Sequence, residues 1–402
     1  MKPLRFDEAR AVVFDRVQEK LQPPSVESVS LDEASGRVVA ADIRSDRDYP
    51  PFNRSARDGF AVIADDVASV PVTLKLIGET RAGEPSRFQL QRGQTVEIMT
   101  GAPGPEGADA VVMVEYSSRD GDQITLNQSI TAGRNLIAAG SETKAADVVV
   151  QSGIRLGYPQ IAVLGSVGCA SVPVFRKPEV AILSTGDEII PVAETPQSFQ
   201  IRNSNAHSLA AQVTRRGAKP HVLAIAKDQL DETRRLIEDG LNSDVLLLSG
   251  GVSMGKYDLV EQVLEELGAE FFITSVLIQP GKPLVFARVG DTPVFGLPGN
   301  PISTMVTFEL FASIAVDLLA GQSDSPLPFF EAELASAFSH KPVLTRFLGA
   351  QLEGTYGHTR VRRLEGQGSG DVTSFARSDC YLVASDDRAS WDAGERISVM
   401  PL

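Results

Sequence analysis

Residues 249–258 have the composition of an anion-binding loop that follows a buried strand. The small and hydroxyl-bearing residues of this loop are Ser249, Gly250, Gly251, Ser253 and Gly255. The glycines permit positive φ and close approach of the backbone to a ligand, while the hydroxyls and the N–H groups of a following helix can bind an oxyanion. Asp258 stands at the predicted helix start, where a carboxylate caps the helix or holds a metal beside the anion. A purely structural turn explains a glycine-rich loop about equally well.

Two more loops are predicted near the same edge of a sheet. The sequence at 296–301 is Gly-Leu-Pro-Gly-Asn-Pro, which places Asn300 at the N-cap and Pro301 at the first position of a helix. The free N–H groups at that helix start would face a ligand. Lys282 lies between two prolines at 280–283, and a lysine on a stiff loop suits an oxyanion, although a lone turn lysine is more often solvated.

Acidic residues recur beside predicted turns along the chain. They are Asp58, Glu142, Asp187, Glu188, Asp228 and Asp258. Any one of them is more often a turn or cap residue than a ligand. Magnesium needs only one or two carboxylates together with water and a phosphorylated substrate, so three or more of these side chains in one place would form a metal site.

Cysteine and histidine give little support for other metal chemistry. Cys169 and Cys380 are far apart without metal-ligand spacing, and the four histidines form no zinc-binding motif. Both thiols are interpreted as small buried hydrophobic groups. The chemistry is therefore expected to depend on carboxylates, lysine, hydroxyls and the backbone.

The composition indicates a globular protein of several domains. A chain of 402 residues exceeds one ordinary core, and 43% hydrophobic residues are enough to fill several. The formal net charge of -14 argues against nucleic acid and anionic membranes as partners, so an anionic ligand must meet a local positive site. The first ten residues lack a signal-peptide pattern and the apolar runs are shorter than a membrane span, so a cytoplasmic location is expected.

The hydrophobic pattern divides the chain into four predicted domains. Helical spacing from Phe6 to Val17 predicts an opening helix, and residues 1–42 with 138–176 are expected to form one discontinuous domain in which that helix packs beside residues 136–175. Short alternating segments predict a small β-rich domain at 43–137, and a second β domain at 327–402. Strands that alternate with helices at 177–326 predict a mostly parallel sheet with ligands at the carboxyl ends of its strands.

Six motifs together resemble the molybdopterin molybdenumtransferase family, which comprises the MoeA proteins and the E domain of gephyrin. They are PPFNRSARDGFAV at 50–62, IMTGAP at 98–103, STGDE at 184–188, the loop at 249–258, PGKP at 280–283 and GLPGNP at 296–301. The resemblance implies a multidomain α/β plus β chain with an α/β domain of molybdopterin-binding type, in an elongated homodimer. It also implies an enzyme that takes adenylylated molybdopterin and molybdate, uses Mg²⁺, and releases AMP as it inserts molybdenum.

The resemblance also implies roles for particular residues. The expected catalytic residues are Asp58, Glu188, Asp228, Asp258 and Lys282, and the expected metal ligands are these four acids and Glu142. The expected substrate-binding residues are Thr100, Ser184, Gly186, Ser249, Gly250, Gly251, Ser253, Pro298, Gly299, Asn300, Ser303, Arg346 and Ser369, of which Ser303, Arg346 and Ser369 match residues associated with molybdate.

Three positions depart from the family pattern. Glu142 replaces a frequent aspartate, and Gln279 stands where some members have a second lysine. The usual Ala-Asn-Gly-Leu near the end is replaced by Ser378-Asp379-Cys380-Tyr381. The family also implies a molybdopterin adenylyltransferase and recipient molybdoenzymes as partners.

Two other functions stay open at this stage. One is a related enzyme that shares the α/β domain, either a molybdopterin adenylyltransferase or a competence-damage-inducible protein acting on pyridine nucleotides. The motif at 50–62 and the C-terminal β domain argue against it. The other is a non-catalytic dimeric scaffold, as gephyrin's E domain is for receptor tails. Retained acidic positions argue against this second alternative.

Overall fold

The computed structural model describes residues 1–250 and 259–402. A six-stranded sheet lies at the centre of the region predicted to be α/β. From edge to edge its strands are Lys219–Val222, Glu179–Ser184, Val245–Ser249, Thr292–Leu297, Val285–Val289 and Glu270–Ile273. The first four strands are mutually parallel. Val285–Val289 alone runs in the opposite direction, because it pairs antiparallel with both of its neighbours, so the sheet is mostly parallel as predicted. The carboxyl ends of the parallel strands therefore share one edge, where such folds bind ligands.

Helices cover both faces of this sheet. They are Ser204–Arg215, Leu230–Gly240, Leu259–Glu266 and the core helix, Pro301–Leu319. Successive residues of Glu179–Ser184 point to opposite faces, so Val180 and Ile182 join one hydrophobic core while Ala181 and Leu183 join the other. Burial on both faces explains why the strands are continuous apolar runs.

The apolar pattern from Ile302 to Leu319 predicts a long helix, and the core helix spans this range with an irregular turn in its middle. Pro301–Thr307 and Ser313–Leu319 are α-helical, whereas Phe308–Ala312 between them is a π-helical turn. The expectation that every apolar run is shorter than a membrane span is wrong for this helix, which is long and apolar enough by composition to cross a membrane, but 89% of its apolar window is buried inside the protein. It is therefore the central helix of a folded core.

The opening helix, Phe6–Gln18, packs against the core helix. Its apolar stripe of Ala9, Val13 and Val17 is buried in the same core as the α/β sheet. The expectation that it packs beside residues 136–175 is not met. Residues C-terminal to the helix contact that segment instead, because Val26–Ser30 pairs with Ser171–Phe175.

The region predicted as a small β-rich domain contains a second six-stranded sheet. Its strands in spatial order are Ala110–Met113, Gly59–Val62, Gln94–Ile98, Val72–Thr80, Gln123–Leu126 and Ser117–Asp120. Short paired strands link it to the neighbouring segments: Ile43–Arg44 with Val148–Val150, and Arg54–Ser55 with Leu136–Ile137. The remaining short elements are the helix Tyr158–Ser166, the 3₁₀ turns Leu31–Glu33, Ala64–Val67 and Val114–Tyr116, and the strand pair Ile189–Ile190 with Ile201–Arg202.

The C-terminal strands close into a small barrel. Its strands in order are Thr345–Thr355, His358–Arg363, Phe330–Leu334, Arg396–Pro401 and Cys380–Ala384, and the last pairs again with the first. Strands Phe338–Ser339 and Ser390–Trp391 pair beside it, and the helix Val372–Phe375 precedes Cys380–Ala384. Ile278–Gln279, from the α/β region, adds to the edge of Thr345–Thr355. The barrel is thus joined directly to the loop that carries Lys282.

Candidate active site

Three loops meet at the carboxyl edge of the α/β sheet, as the sequence predicts. The Thr185 N–H donates to the Ser249 carbonyl at 3.1 Å, and the Gly250 N–H donates to the Leu297 carbonyl at 3.4 Å. Gly250 has a φ of +88°, and a Cβ there would lie 2.8 Å from the Thr185 carbonyl oxygen. Gly299 approaches it closely as well, because a Cβ on Gly299 would lie 3.7 Å from the Gly250 Cα. Glycine is therefore required at 250 for the loops to converge.

These loops surround a cavity of about 700 Å³, the glycine-loop cleft. The predicted residues that line it are Ser184, Glu188, Ser249, Gly250, Pro298, Gly299 and Asn300. Gly186 lies at its margin, where a Cβ would collide with the Glu188 carboxylate at 2.6 Å. Because the Thr185 and Gly250 N–H groups already donate to backbone carbonyls, this cleft offers a phosphate-bearing ligand mainly side chains, among them the Ser249 hydroxyl and the Arg202 guanidinium.

Acidic side chains gather beside this cleft. The Asp228 N–H donates to an Asp187 carboxylate oxygen at 3.3 Å, and the Gly186 N–H donates to the Ala226 carbonyl, which holds the two loops together. Partial burial raises the pKa of Asp228, and the neighbouring negative charges of Asp187 and Glu188 raise this pKa further. The loop therefore concentrates negative charge at a strand end, and a bound cation would relieve that repulsion.

A second cavity, of about 520 Å³, lies between the α/β sheet and the C-terminal barrel. We call it the interdomain cavity. Three residues expected to contact molybdate line it, Lys282, Ser303 and Ser369. Ser303 is buried in the first turn of the core helix, and a Cβ on Gly281 would lie 3.6 Å from the Ser303 carbonyl. The Pro280–Pro283 loop therefore packs directly on the helix start, with its lysine at the cavity wall.

The two cavities adjoin each other. Pro283, Pro298 and Asn300 line both of them. The glycine-rich stretch at 366–371 of the C-terminal region contributes to both walls as well. Its Ser369 carbonyl accepts a hydrogen bond of 3.1 Å from the Ile302 N–H. One of the helix N–H groups expected to face a ligand is therefore already bound by the protein.

Asn300 occupies the N-cap position with Pro301 after it, as predicted, but its side chain makes no capping hydrogen bond. Instead the Thr304 hydroxyl donates to the Asn300 carbonyl at 3.0 Å. The Asn300 side chain is thus available to the two cavities that it lines.

Three predicted site residues, Asp58, Thr100 and Glu142, line neither of the two cavities. An Asp58 carboxylate oxygen accepts a 2.7 Å hydrogen bond from the Thr100 N–H, and hydrogen bonds from Thr100 lower the pKa of Asp58. Both residues belong to the small β region. Glu142 makes a 2.7 Å ion pair with Arg54. These contacts hold loops together within one chain, and the described contacts do not bring the three side chains to Asp228.

Arg346 lines neither cavity. Arg346 pairs in register with Gln279, which lines the interdomain cavity, and the Arg346 Nε is buried without a hydrogen-bond partner among the described residues. A different cation, Arg363, borders the interdomain cavity, and its guanidinium carbon lies 5.3 Å from the centre of the Phe338 ring.

A complete metal cluster is not assembled within the part of the chain that the structure describes. Over residues 1–250 and 259–402, no group of three or more His, Cys, Asp or Glu side chains is placed to hold a metal. Three predicted site residues, Gly251, Ser253 and Asp258, lie outside those residues. Among the described carboxylates, Glu188 lines the cleft and Asp228 lies beside Asp187, and carboxylates are ligands that Mg²⁺ prefers.

Polar residues that the sequence reasoning missed also line the glycine-loop cleft. They are Thr185, Arg202, Asn203 and Asn205. The Asn205 amide nitrogen donates to the Ser249 hydroxyl at 2.9 Å and to the Gly299 carbonyl at 2.8 Å, so it joins two glycine loops. Because a carbonyl can only accept, the orientation of this amide is fixed. The helix-capping pattern of Asn203 before Ser204–Arg215 was the signal that could have located this segment.

The thiols of the chain are unsuited to bind a metal. Cys380 is fully buried in the barrel, and burial together with Asp379 raises the pKa of its thiol to about 12. Cys169 is only partly buried, so the expectation of two buried thiols holds for Cys380 alone, although partial burial still raises the pKa of Cys169. Since metals bind the thiolate, sulfur ligands for a metal would have to come from a bound molecule.

The mostly parallel α/β sheet, with glycine loops and a cavity at the carboxyl edge of its strands, defines a protein of the α/β ligand-binding class. Three family models match in order: "MoeA N-terminal region (domain I and II)" at residues 4–168, "Probable molybdopterin binding domain" at 181–317, and "MoeA C-terminal region (domain IV)" at 331–402. The chain belongs to the molybdopterin molybdenumtransferase family, the MoeA proteins. A lone adenylyltransferase-type domain does not account for the matches on both sides of the α/β region.

Individual relatives agree over the full length. The molybdopterin molybdenumtransferase of Bacillus subtilis is 33% identical, across 99% of this chain and 94% of the relative. That of Haemophilus influenzae is 32% identical, across 99% of this chain and 98% of the relative. A crystal structure of the molybdopterin biosynthesis MoeA protein of Pyrococcus horikoshii OT3 superposes with a TM-score of 0.82 at 27% identity, over all of both chains.

Proposed function

We propose that this protein inserts molybdenum into adenylylated molybdopterin, with release of AMP, as a step of molybdenum cofactor biosynthesis. The observation that carries the proposal is the shared wall of Pro283, Pro298 and Asn300 between two chemically different cavities. The glycine-loop cleft has the Ser249 hydroxyl and the Arg202 guanidinium, which suit a phosphoanhydride. The interdomain cavity has the lysine and serines that suit a tetrahedral oxyanion. Adjoining cavities would bring the oxyanion to the dithiolene sulfurs of the pterin.

Each group of residues has a defined role in this proposal. Ser249 and Arg202 bind and orient the adenylylated phosphates, while Lys282 neutralises charge on molybdate. Mg²⁺, when bound by Asp228 and Glu188 with Asp258, would supply charge neutralisation for the departing AMP. The dithiolene of the pterin provides the sulfur ligands, in keeping with the raised pKa values of both thiols of the protein.

A direct assay tests the proposed reaction. The purified protein is incubated with adenylylated molybdopterin, molybdate and Mg²⁺, and both AMP and pterin-bound molybdenum are quantified. We expect the two products to appear in equal amounts and only when all three components are present. Binding of the pterin without any metal-dependent AMP release would instead favour the scaffold alternative.

We further propose that the working unit is a cytoplasmic homodimer with a site shared between its chains. This proposal is supported by the position of Asp58, which contacts Thr100 in its own small β region and no described cleft residue. In the dimer, Asp58 would then lie next to the α/β domain of the partner chain. A molybdopterin adenylyltransferase would supply the substrate, and molybdoenzymes would receive the product. The four predicted domains, 1–42 with 138–176, 43–137, 177–326 and 327–402, are proposed as its structural units.

Complementation tests the shared site. Asp58→Asn keeps the oxygen that accepts the Thr100 N–H, so the loop should stay folded while the charge is lost. Mixed dimers of Asp58→Asn and Asp228→Asn chains should have one doubly damaged and one intact site, and recover up to about half of wild-type activity. Each parent alone should be inactive. No recovery in dimers verified by differential tagging would show that Asp58 does not act across the dimer.

A further inference from the structure

Ser378 presents an unpaired hydroxyl at the wall of the interdomain cavity. The residue lines this cavity together with Lys282, Ser303 and Ser369. Its Oγ is buried and forms no hydrogen bond with any residue in 1–250 or 259–402. A buried hydroxyl without a partner is costly, so a folded protein retains one mainly where something else satisfies it.

The strand Thr345–Thr355 has a glycine at the point where it passes this hydroxyl. Gly349 lies opposite Ser378, and a Cβ at Gly349 would lie 2.5 Å from the Ser378 Oγ and 2.9 Å from the Phe375 ring. The Gly349 carbonyl accepts from the Leu364 N–H at 2.9 Å, and Gly349 pairs in register with Tyr381 on the other side. The strand is thus held from both sides, and any side chain at 349 would displace the hydroxyl.

A second serine in the same wall provides an internal comparison. The Ser374 hydroxyl donates to an Asp371 carboxylate oxygen at 2.7 Å, and this same aspartate caps the helix Val372–Phe375. That hydroxyl is therefore engaged in a structural contact. Ser378, one turn further along the chain, has no such contact among the described residues.

We propose that the Ser378 hydroxyl donates a hydrogen bond to an oxygen of the tetrahedral oxyanion in the interdomain cavity. The inference rests on the proposed function, which places molybdate there. A dianionic oxyanion offers only acceptors, so the hydroxyl must be the donor, and such charge-assisted bonds are short and strong. This contact is supplied by the C-terminal region of the chain. It adds a donor from the barrel to the lysine and serine of the α/β region.

Direct binding of molybdate to the full-length protein tests this role. Equilibrium dialysis with molybdenum measured by mass spectrometry gives the dissociation constant for wild type, Ser378→Ala, Ser378→Cys and Ser374→Ala. Ser378→Ala should raise the dissociation constant about tenfold, the loss expected for one charge-assisted hydrogen bond. Its melting temperature without ligand should be equal or higher, because a buried unpaired group has been removed. Ser374→Ala should show the reverse pattern, with a lower melting temperature and a smaller change in affinity. Ser378→Cys, which retains the side-chain size but is a poor donor, should resemble Ser378→Ala in affinity.

The outcomes separate this inference from the proposed function. Wild-type affinity in Ser378→Ala, or a fall in affinity that only follows a fall in melting temperature, overturns the role of Ser378 and leaves the oxyanion cavity intact. Absence of molybdate binding by the wild-type protein itself overturns the assignment of the cavity, and the role of Ser378 with it.

Discussion

Two groups of charged side chains in this molecule are arranged in opposite ways. Beneath the core helix, Asp317 accepts hydrogen bonds from Arg216 at 2.9 Å and Arg155 at 3.1 Å, and Glu309 pairs with Arg215 and Arg216. At the glycine-loop cleft, Asp228 instead lies next to Asp187 and Glu188. Lys227 beside them donates to the backbone carbonyls of Asp187 and Ile189 rather than to a carboxylate.

The first group consists of paired charges that stabilise the fold, whereas the second consists of like charges that repel each other. Asp317 and Glu309 are almost completely buried, and Arg155 comes from the discontinuous N-terminal region, so the network joins two parts of the chain. The carboxylates at the cleft gain nothing from each other, because like charges at short range repel. Retaining them in a folded protein is consistent with selection for a cation or a reaction rather than for stability.

The largest effect is expected at the cleft. Asp228→Asn should lower the rate of AMP release by about 100-fold or more, as loss of one well-placed electrostatic group does. Without ligand, the variant should be as stable as wild type or more stable at neutral pH, since repulsion from Asp187 and Glu188 is removed. Turnover measurements check the expected loss of rate, and thermal unfolding of the same preparations checks the expected stability. Asp231→Asn, in the first turn of Leu230–Gly240, is the matched control.

The pH dependence of that gain follows from the sign of the pKa shift. The pKa of Asp228 is raised in the folded state, so its ionised form destabilises the fold at pH values above that raised pKa. The advantage of Asp228→Asn should therefore be present near neutral pH and disappear as the pH falls below the ordinary aspartate range. A variant that loses stability at neutral pH would place Asp228 among the structural charges.

Loss of a carboxylate from the buried ion pairs of Asp317 and Glu309 should lower stability and leave turnover largely unchanged. Asp317→Ala leaves Arg155 and Arg216 short of a partner and should cost about 3–5 kcal/mol in the free energy of unfolding. Urea denaturation measures this cost, and turnover per folded molecule should be largely retained. Asp291→Ala is the control, because its 4.0 Å pair with Lys20 is exposed and should contribute less than about 1 kcal/mol. Similar costs for both variants would contradict the comparison.

The sequence predicts the convergence of the loops better than it predicts which side chains face them. The alternation of strands with helices and the glycine turns are local patterns, so the positions of Ser249, Gly250 and Asn300 at one sheet edge follow from them. The direction of Arg346 depends on strand register, where a shift of one residue moves a side chain to the other face. The Asn205 contacts with Ser249 and Gly299 are also long-range, and no local pattern encodes them.

Lys282 lies at the wall of the interdomain cavity, and its replacement is expected to have an intermediate effect on activity. Lys282→Ala should raise the molybdate concentration needed for half-maximal rate about tenfold, because a charge-assisted contact is lost. The requirement for adenylylated molybdopterin should change far less, since that ligand is assigned to the glycine-loop cleft. Steady-state kinetics with each substrate varied in turn gives both values. Lys219→Ala, at an exposed pair with Glu179, is the control, and equal losses for both substrates would break the assignment.

The smallest effect is expected from adding charge rather than removing it. Gln279 lines the interdomain cavity at the end of the strand that joins the barrel. Gln279→Lys should tighten molybdate binding by about two- to fivefold, since a second ammonium nearby contributes roughly 1 kcal/mol or less in a solvated site. Gln279→Glu should weaken binding by a similar factor, and both effects should shrink as salt rises. Titrations of the two variants with molybdate at low and high ionic strength measure this. Shifts in the same direction for lysine and glutamate would mean that the position acts through shape, and that charge at this wall does not govern the oxyanion.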